Sequence, residues 1–327
     1  MSLARSINGK RLNGLGLGCM NLSHGYGPAT APEEASALLL RALDLGVDFF
    51  DTAALYGFGA NEELLGRVLA PHRRRFFLAS KCGMTGIDGR RVIDGRAATI
   101  RATCDESLRR LKTDHIDLYY LHRWDKSVPI EESVGALADL VQAGKIGAIG
   151  LSEVSSATLR RAHAVHPVAA MQSEYSLWSR DPERGVLETC RELGVAFVAF
   201  SPLARGFLGG LSDTASLTPG DLRLSMPRFD AANLEANLPL AQAARRIAQE
   251  AACSLPQLAL AWLLRDPIIS VIPGTTRISH LEENMGAASV VLSEAQLREL
   301  DRLFQPAHIH GERYNAATLT EIDQDPH

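Results

Sequence analysis

Residues 32–53, PEEASALLLRALDLGVDFFDTA, carry a helix, a stop and a strand in succession. The first fifteen place apolar side chains at helical spacing, with Pro32 where a helix tolerates proline and acids at its start. Gly46 then supplies the left-handed residue that ends a helix. From Val47 a short run rich in β-branched and aromatic residues reads as a buried strand, closing on Asp51.

The same unit recurs along the chain. Further candidate strands begin near Gly14 (GLGLGCM), Phe76 (FFLASKC), His115 (HIDLYYLH), Ile146 (IGAIGLSE), Ala169 (AAMQSEY), Val195 (VAFVAFS) and Ile269 (ISVIPGT). Between them lie helical patterns such as ATIRATCDESLRRLK, EESVGALADLVQAGK, SSATLRRAHAV and LPLAQAARRIAQEAAC, with Gly144 and Gly194 as further stops. Strand–helix alternation implies a parallel sheet covered by helices. Eight units favour an α/β fold closed as a (β/α)8 TIM barrel over an open sheet. A GxGxxG turn between strand and helix, the mark of the doubly wound alternative, is missing. One barrel domain is expected over residues 1–327. The stretch from Pro202 to Leu234, rich in Gly, Ser, Pro and Asp, reads as a long loop over the active face. Residues 307–327 read as an irregular tail packing near that face.

Composition narrows the function. The chain has 327 residues, 46% hydrophobic and 22% charged, with a net charge of −4, as in soluble enzymes. That charge offers no attraction to nucleic acid or an anionic membrane. No apolar run is long enough to span a bilayer, and MSLARSINGKRLNG lacks the apolar core of a signal peptide. The five cysteines are scattered, without a CxxC pair, so neither a disulfide framework nor a zinc site is indicated. A reducing, cytoplasmic setting follows. His308 and His310 form an HxH pair without a third ligand in sight, so no metal is expected.

In a barrel, chemistry collects at the C-terminal ends of the strands. There the sequence places Asp51 and Tyr56 after strand two, Lys81 at the end of strand three and His122 at the end of strand four. Each alone has an ordinary structural explanation: a turn aspartate, a packed tyrosine, a satisfied histidine. Lysine rarely follows the apolar run of a buried strand without a partner, however. Together the four divide the labour of a carbonyl reduction. Tyrosine can donate the proton if an ammonium lowers its ordinary pKa of about 10. Lys81 can supply that charge, and Asp51 its counter-ion. His122 can orient the carbonyl oxygen. The hydride must come from a cofactor.

The segments FDTAALYG, LASKCG, LYYLHRWD, GLSE, MQSEYS, FSPLARGFLGG and VIPGTTRISHLEEN resemble the aldo-keto reductase superfamily. The likeness is greatest to its microbial and plant branch of general aldehyde reductases and pyridoxal reductases. It runs from about Leu12 to Tyr314. In that family the matching Asp, Tyr, Lys and His are the catalytic tetrad, which implies Asp51, Tyr56, Lys81 and His122 here. The resemblance further implies NADPH/NADP+ as cofactor and a small carbonyl substrate. Ser152 and Gln172 match residues that hold the nicotinamide carboxamide. Ser201, Leu203, Arg205 and Gly206 match the loop that straps the pyrophosphate. Gly274, Thr276, Arg277, Glu283 and Asn284 match the adenosine and 2′-phosphate site. Gly18, Cys19 and Met20, at the end of strand one, are counted with the cofactor site. Two positions depart from better-known members: Glu153 stands where many have Asn, and Gly274 where many have a Lys for the 2′-phosphate. Arg277 is then the main cation for that phosphate, near a helix N-terminus.

Trp124 and Trp178 follow strands four and six and are expected to line the substrate pocket with Tyr56 and His122. Cys19 and Cys82 adjoin the site and read as small packing residues. Two rival functions remain: a redox-sensing, nicotinamide-binding auxiliary subunit of a membrane channel, and a barrel isomerase or lyase. Neither a docking segment nor a competing strand-end constellation supports them. Monomer and homo-oligomer are both compatible with the sequence.

Overall fold

The structure is a computed structural model that describes residues 4–87 and 90–326; the leader reading of the N-terminus falls partly outside them, at residues 1–3. Eight parallel strands lie side by side in chain order: β1 (Leu17–Gly18), β2 (Phe49–Asp51), β3 (Phe77–Cys82), β4 (Leu118–Leu121), β5 (Ile149–Ser152), β6 (Val168–Glu174), β7 (Ala196–Phe200) and β8 (Ile269–Ile272). The sheet's two ends meet. Leu15 bridges Val271 in the parallel sense, the Gly16 amide donates to the Val271 carbonyl at 2.9 Å, and the Val271 amide donates to Gly14 at 2.8 Å. The sheet thus closes into a barrel without a free edge, and all eight strands expected from the sequence are present.

Helices α1 (Pro32–Asp44), α2 (Ala60–Leu69), α3 (Ala97–Leu111), α4 (Ile130–Gln142), α5 (Ser156–Val165), α6 (Val186–Leu193), α7 (Ala231–Glu250) and α8 (Leu255–Leu264) surround it, followed by α9 (Ile278–Met285), α10 (Glu294–Leu303) and the short α11 (Ala316–Thr320). Gly46, Gly144 and Gly194 follow α1, α4 and α6 at φ of 82°, 72° and 68°, the left-handed stop the sequence implied.

Strand alternation sorts the side chains into two cores. Leu17, Phe50, Leu78, Tyr119, Leu121, Ile149, Leu151 and Phe197 point outward and pack under the helices. Phe49, Phe77, Ala79, Leu118, Tyr120, Ala148, Ala170 and Val198 fill the barrel. Burying one such Leu or Phe is worth about 1.5–3 kcal/mol, so the two layers hold the strand ends rigidly. Inside, large and small residues interlock. A Cβ on Gly150 would lie 2.3 Å from the Tyr120 ring, so that position must be glycine for the ring to fit.

Three features depart from the reading of the sequence. An antiparallel hairpin, Ala4–Ile7 with Lys10–Asn13, precedes the barrel. Its Ile7 and Leu12 join the interior core. A second hairpin pairs Met84–Ile87 with Arg90–Ile93 beyond β3. The loop expected to run to Leu234 gives way at Ala231 to α7, which passes through Pro239. Tertiary contacts override the proline: Asn237 donates to the His310 carbonyl at 2.9 Å and accepts from the His310 amide at 3.0 Å, tying that part of α7 to the tail. Among the described residues, no helix is long and apolar enough to cross a membrane.

Candidate active site

Period-two alternation also builds the site. Above the apolar layer, the next inward positions are Asp51 on β2, Lys81 on β3, His122 after β4, Ser152 on β5 and Gln172 on β6. Asp51 is registered opposite Ala79, which puts Lys81 two residues further along the same face. Lys81 is fully buried, and its ammonium donates to the Asp51 carboxylate, to the Thr52 carbonyl at 2.9 Å and to the Tyr56 hydroxyl at 3.1 Å. The other Asp51 oxygen accepts from Gln172 Nε2 at 2.8 Å. Tyr56 begins the turn after β2, and its ring meets the His122 ring edge-on with centroids 5.7 Å apart. The structure therefore brings Asp51, Tyr56, Lys81 and His122 together.

The electrostatics give these groups different protonation. Burial works against the Lys81 ammonium, but Asp51 and Tyr56 together outweigh it and hold the pKa above its ordinary value. Burial pushes the Tyr56 phenol up; Lys81 pulls it back without fully offsetting that. The pKa-lowering expected from the sequence is thus present as a contribution and loses to desolvation. Burial, then Lys81 and Arg123, drive His122 well below its ordinary 6.5, so at neutral pH the imidazole is uncharged. Its Nδ1 is buried and has no hydrogen-bond partner among the described residues.

A cavity of about 590 Å³ opens above this floor, within the size range of small-molecule sites. Tyr56, His122, Ser152 and Gln172 face it, with Gly18 and Met20 from the end of β1. Ser201, Leu203, Arg205 and Gly206 form one wall, and Gly274, Thr276, Arg277, Glu283 and Asn284 the far end. Gly274 has a steric reason not to be lysine: a Cβ there would lie 2.7 Å from Asn21 Oδ1 and 3.0 Å from the Gly18 carbonyl. Among the described residues, five of the eight non-glycine residues at positive φ, namely Phe58, Glu153, Ser201, Ala204 and Arg205, lie in loops that follow strands at this end. Such strain is characteristic of functional sites.

Three expected residues do not line the cavity. Cys19 is fully buried, its thiol directed at the Leu17 carbonyl 3.6 Å away, and burial pushes its pKa up. Trp124 Nε1 donates to the Val128 carbonyl at 2.9 Å, and Arg161 sits over its ring. Trp178 stacks on Phe207 with centroids 4.1 Å apart, inside the core of the long loop. Two others line the cavity with their donors engaged: Gln172 on Asp51, and Arg205 on Glu174 at 2.5 Å and the Tyr314 hydroxyl at 2.8 Å.

The sequence reading missed much of the rim. His24 and Tyr26 from the loop after β1, Arg91 from the second hairpin, Arg123 beside His122, and Arg223 and Tyr314 all face the cavity. Arg223 and Tyr314 lie in the loop and tail already read as covering this face; His24, Tyr26 and Arg91 carry no strand-end signal, and Arg123 sits at a strand end beside His122. Buried ion pairs knit the rim. Arg313 holds Glu153 through two hydrogen bonds of 3.0 and 2.7 Å. Arg223 Nη2 pairs with Asp221 at 2.7 Å, and its guanidinium lies 4.9 Å from the centre of the Tyr26 ring.

Residues 14–305 match the aldo/keto reductase family. The chain belongs to that family. It is 41% identical over 310 residues to a probable aldo-keto reductase 1 from Glycine max, covering 94% of this chain and 89% of the relative. Among solved structures it resembles the glycerol dehydrogenase of Gluconobacter oxydans, with a TM-score of 0.86, 28% identity and 96% and 98% of the two chains covered. It also resembles an aldo/keto reductase from Klebsiella pneumoniae solved with NADP and acetate, with a TM-score of 0.74, 28% identity and coverage of 99% and 100%. The aldo/keto reductase family is one of oxidoreductases, the reaction class that the buried lysine–tyrosine pair suits.

Proposed function

We propose that the protein reduces small aldehydes or ketones to alcohols with NADPH, Tyr56 delivering the proton. The observation that carries this reading is the Lys81 ammonium, fully buried and bonded to both Asp51 and the Tyr56 hydroxyl. Residues 1–327 act as one catalytic unit in this reading, with 202–234 as its covering loop and 307–327 as its tail.

The cavity fits the cofactor. Of the five arginines that line it among the described residues, three are already paired with carboxylates, and Arg277 at the far end suits a phosphate of the dinucleotide. Arg277 is the exposed residue preceding α9, where unpaired amides favour a phosphate. Arg277, Thr276 and Asn284 would hold the adenosine end, Ser201 to Gly206 the pyrophosphate, and Ser152 and Gln172 the nicotinamide. When bound, the cofactor supplies the hydride.

The chain's own residues do the rest. A carbonyl oxygen at the cavity floor is held between the Tyr56 hydroxyl and the neutral His122 imidazole. As negative charge grows on that oxygen, the Tyr56 proton moves to it, and the phenolate left behind faces Lys81 at 3.1 Å. The ammonium therefore matters most in the transition state, where it adds most to the rate. Asp51 keeps Lys81 charged and fixed.

The test is a panel of aldehydes and ketones assayed by loss of NADPH absorbance, with NADH in parallel. Turnover with several aldehydes and a preference for NADPH is the expected result. No cofactor oxidation with any of them would overturn the proposal.

A further inference from the structure

Of the five arginines lining the cavity, three have carboxylate partners. Arg91 is paired with Glu321, Arg205 with Glu174 and Arg223 with Asp221. Arg277 lies at the far end, beside α9. The fifth, Arg123, follows His122 directly and is only 9% exposed. Its Nη1 donates to the His122 carbonyl at 2.7 Å and to Ser152 Oγ at 3.3 Å, while its buried Nε has no partner among the described residues. Glu153 is near enough to feel its charge. That carboxylate is already committed: both oxygens accept from Arg313, and one also accepts from the Glu174 amide at 2.8 Å. No carboxylate among the described residues forms an ion pair with Arg123.

A buried guanidinium bonded to two neutral oxygens is electrostatically incomplete. Its planar fork of donors matches a carboxylate in two-point contact. Its location is specific. Arg123 lines the same cavity as Tyr56 and His122, the two groups that would hold the carbonyl oxygen, and it is tied there through the His122 carbonyl and Ser152. The other arginine whose charge acts on His122, Arg91, is already paired with Glu321.

We propose that Arg123 is a specificity residue of this reductase, binding a carboxylate carried a few bonds from the carbonyl of the substrate. The favoured substrates are then aldehyde or keto acids rather than neutral carbonyl compounds. The inference rests on the reductase reading above. A neutral aldehyde of the same size still reaches Tyr56 and His122, but leaves the Arg123 guanidinium without an anion, so discrimination arises between otherwise similar substrates.

The experiment compares matched pairs, 4-carboxybenzaldehyde with 4-methylbenzaldehyde and succinic semialdehyde with butanal, in the wild-type protein and in Arg123→Leu, Arg123→Gln and Arg123→Lys. NADPH binding by fluorescence reports on folding and on the cofactor site. The wild type should show higher kcat/KM for the carboxylated member of each pair, mainly through KM. In Arg123→Leu and Arg123→Gln that ratio should fall by about 10- to 100-fold, the worth of a charge-assisted hydrogen bond, and Arg123→Lys should recover part of it. An unchanged ratio, a wild-type preference for the neutral member, or a loss matched by weaker NADPH binding would overturn the assignment; the last would place Arg123 on the cofactor. Turnover of the neutral aldehydes with no such ratio change defeats the inference alone. Failure of all four compounds to consume NADPH defeats the reductase reading and the inference with it.

Discussion

The floor of the cavity and its rim are both built from buried charge, but in opposite ways. On the floor, Asp51, Lys81 and Gln172 project from barrel strands, and Lys81 sits two residues past the register partner of Asp51. On the rim, Arg205 on the loop after β7 reaches Glu174 at the end of β6 and Tyr314 on the tail, and Arg313 on the tail reaches Glu153 after β5. The floor is positioned by the sheet whether or not its charges are present. The rim is positioned by the charges themselves. Loss of the Tyr56 hydroxyl from the floor should therefore remove chemistry and leave the fold, whereas loss of a rim charge should remove structure and touch chemistry indirectly.

The largest effect tests the floor. Tyr56→Phe keeps the ring and its packing and removes the proposed proton donor. Its kcat for aldehyde reduction should fall by roughly 10²–10⁴, the contribution of a positioned acid, with the melting temperature and NADPH affinity nearly unchanged. Because burial and its cationic neighbours keep His122 neutral, and burial holds Tyr56 protonated, the wild-type rate should show no step near the ordinary histidine value of 6.5. A rate step there that vanishes in His122→Gln, or more than about a tenth of kcat left in Tyr56→Phe, less loss than a positioned acid implies, would transfer the acid role to His122.

The contrast also explains what could be read in advance. Strand ends announce themselves, because a polar residue that closes an apolar run must face the top of the barrel; Asp51, Lys81 and His122 were legible for that reason. Tyr56 is legible from its place just after such a strand end, whereas the roles in the cofactor wall come through resemblance to a family. Loop side chains have no such periodicity. Trp178 follows a strand end, yet its ring packs onto Phe207 and does not line the cavity. The partners Arg313 and Glu153 are 160 residues apart, and nothing local to either names the other. Arg123 adjoins a residue with an obvious role, and that it lacks an ion-pair partner among the described residues shows only once the neighbours are placed.

The next effect tests the rim. Arg313→Leu strands the buried Glu153 carboxylate, and breaking such a pair costs about 3–5 kcal/mol. The lower end is expected, because the Arg123 charge still acts on Glu153 at longer range, without an ion pair. Burial raises the Glu153 carboxyl, but Arg313 and Arg123 outweigh it and hold it below its ordinary value. A carboxyl depressed on folding stabilises the fold fully above its unfolded value of about 4.3 and loses that contribution as pH falls through the lower folded value. Urea unfolding should therefore show the full gap between wild type and variant at neutral pH, shrinking on acidification. A gap that is absent at neutral pH, or that widens in acid, would mean the rim does not depend on this pair.

The smallest effect separates the far end of the cavity from both. Arg277 is exposed at the start of α9 and, unlike Arg205 or Arg313, has no acid among the described residues to hold it, so neither the floor nor the rim depends on it. Its proposed partner is the 2′-phosphate, a group NADPH has and NADH lacks. Arg277→Ala should leave the melting temperature and kcat as they were and weaken NADPH binding roughly 10- to 100-fold, the range for hydrogen bonds to a charged group, with NADH scarcely affected. The loss should also shrink as salt is raised, because an exposed charge is screened. Comparing the two cofactors by fluorescence titration cancels any general disturbance of the α9 end, since that would weaken both alike. Equal losses for NADPH and NADH would mean that Arg277 acts through the shape of the loop. With lysine sterically disfavoured at position 274, the 2′-phosphate would then have to be recognised by His280, the other basic side chain lining the α9 end of the cavity.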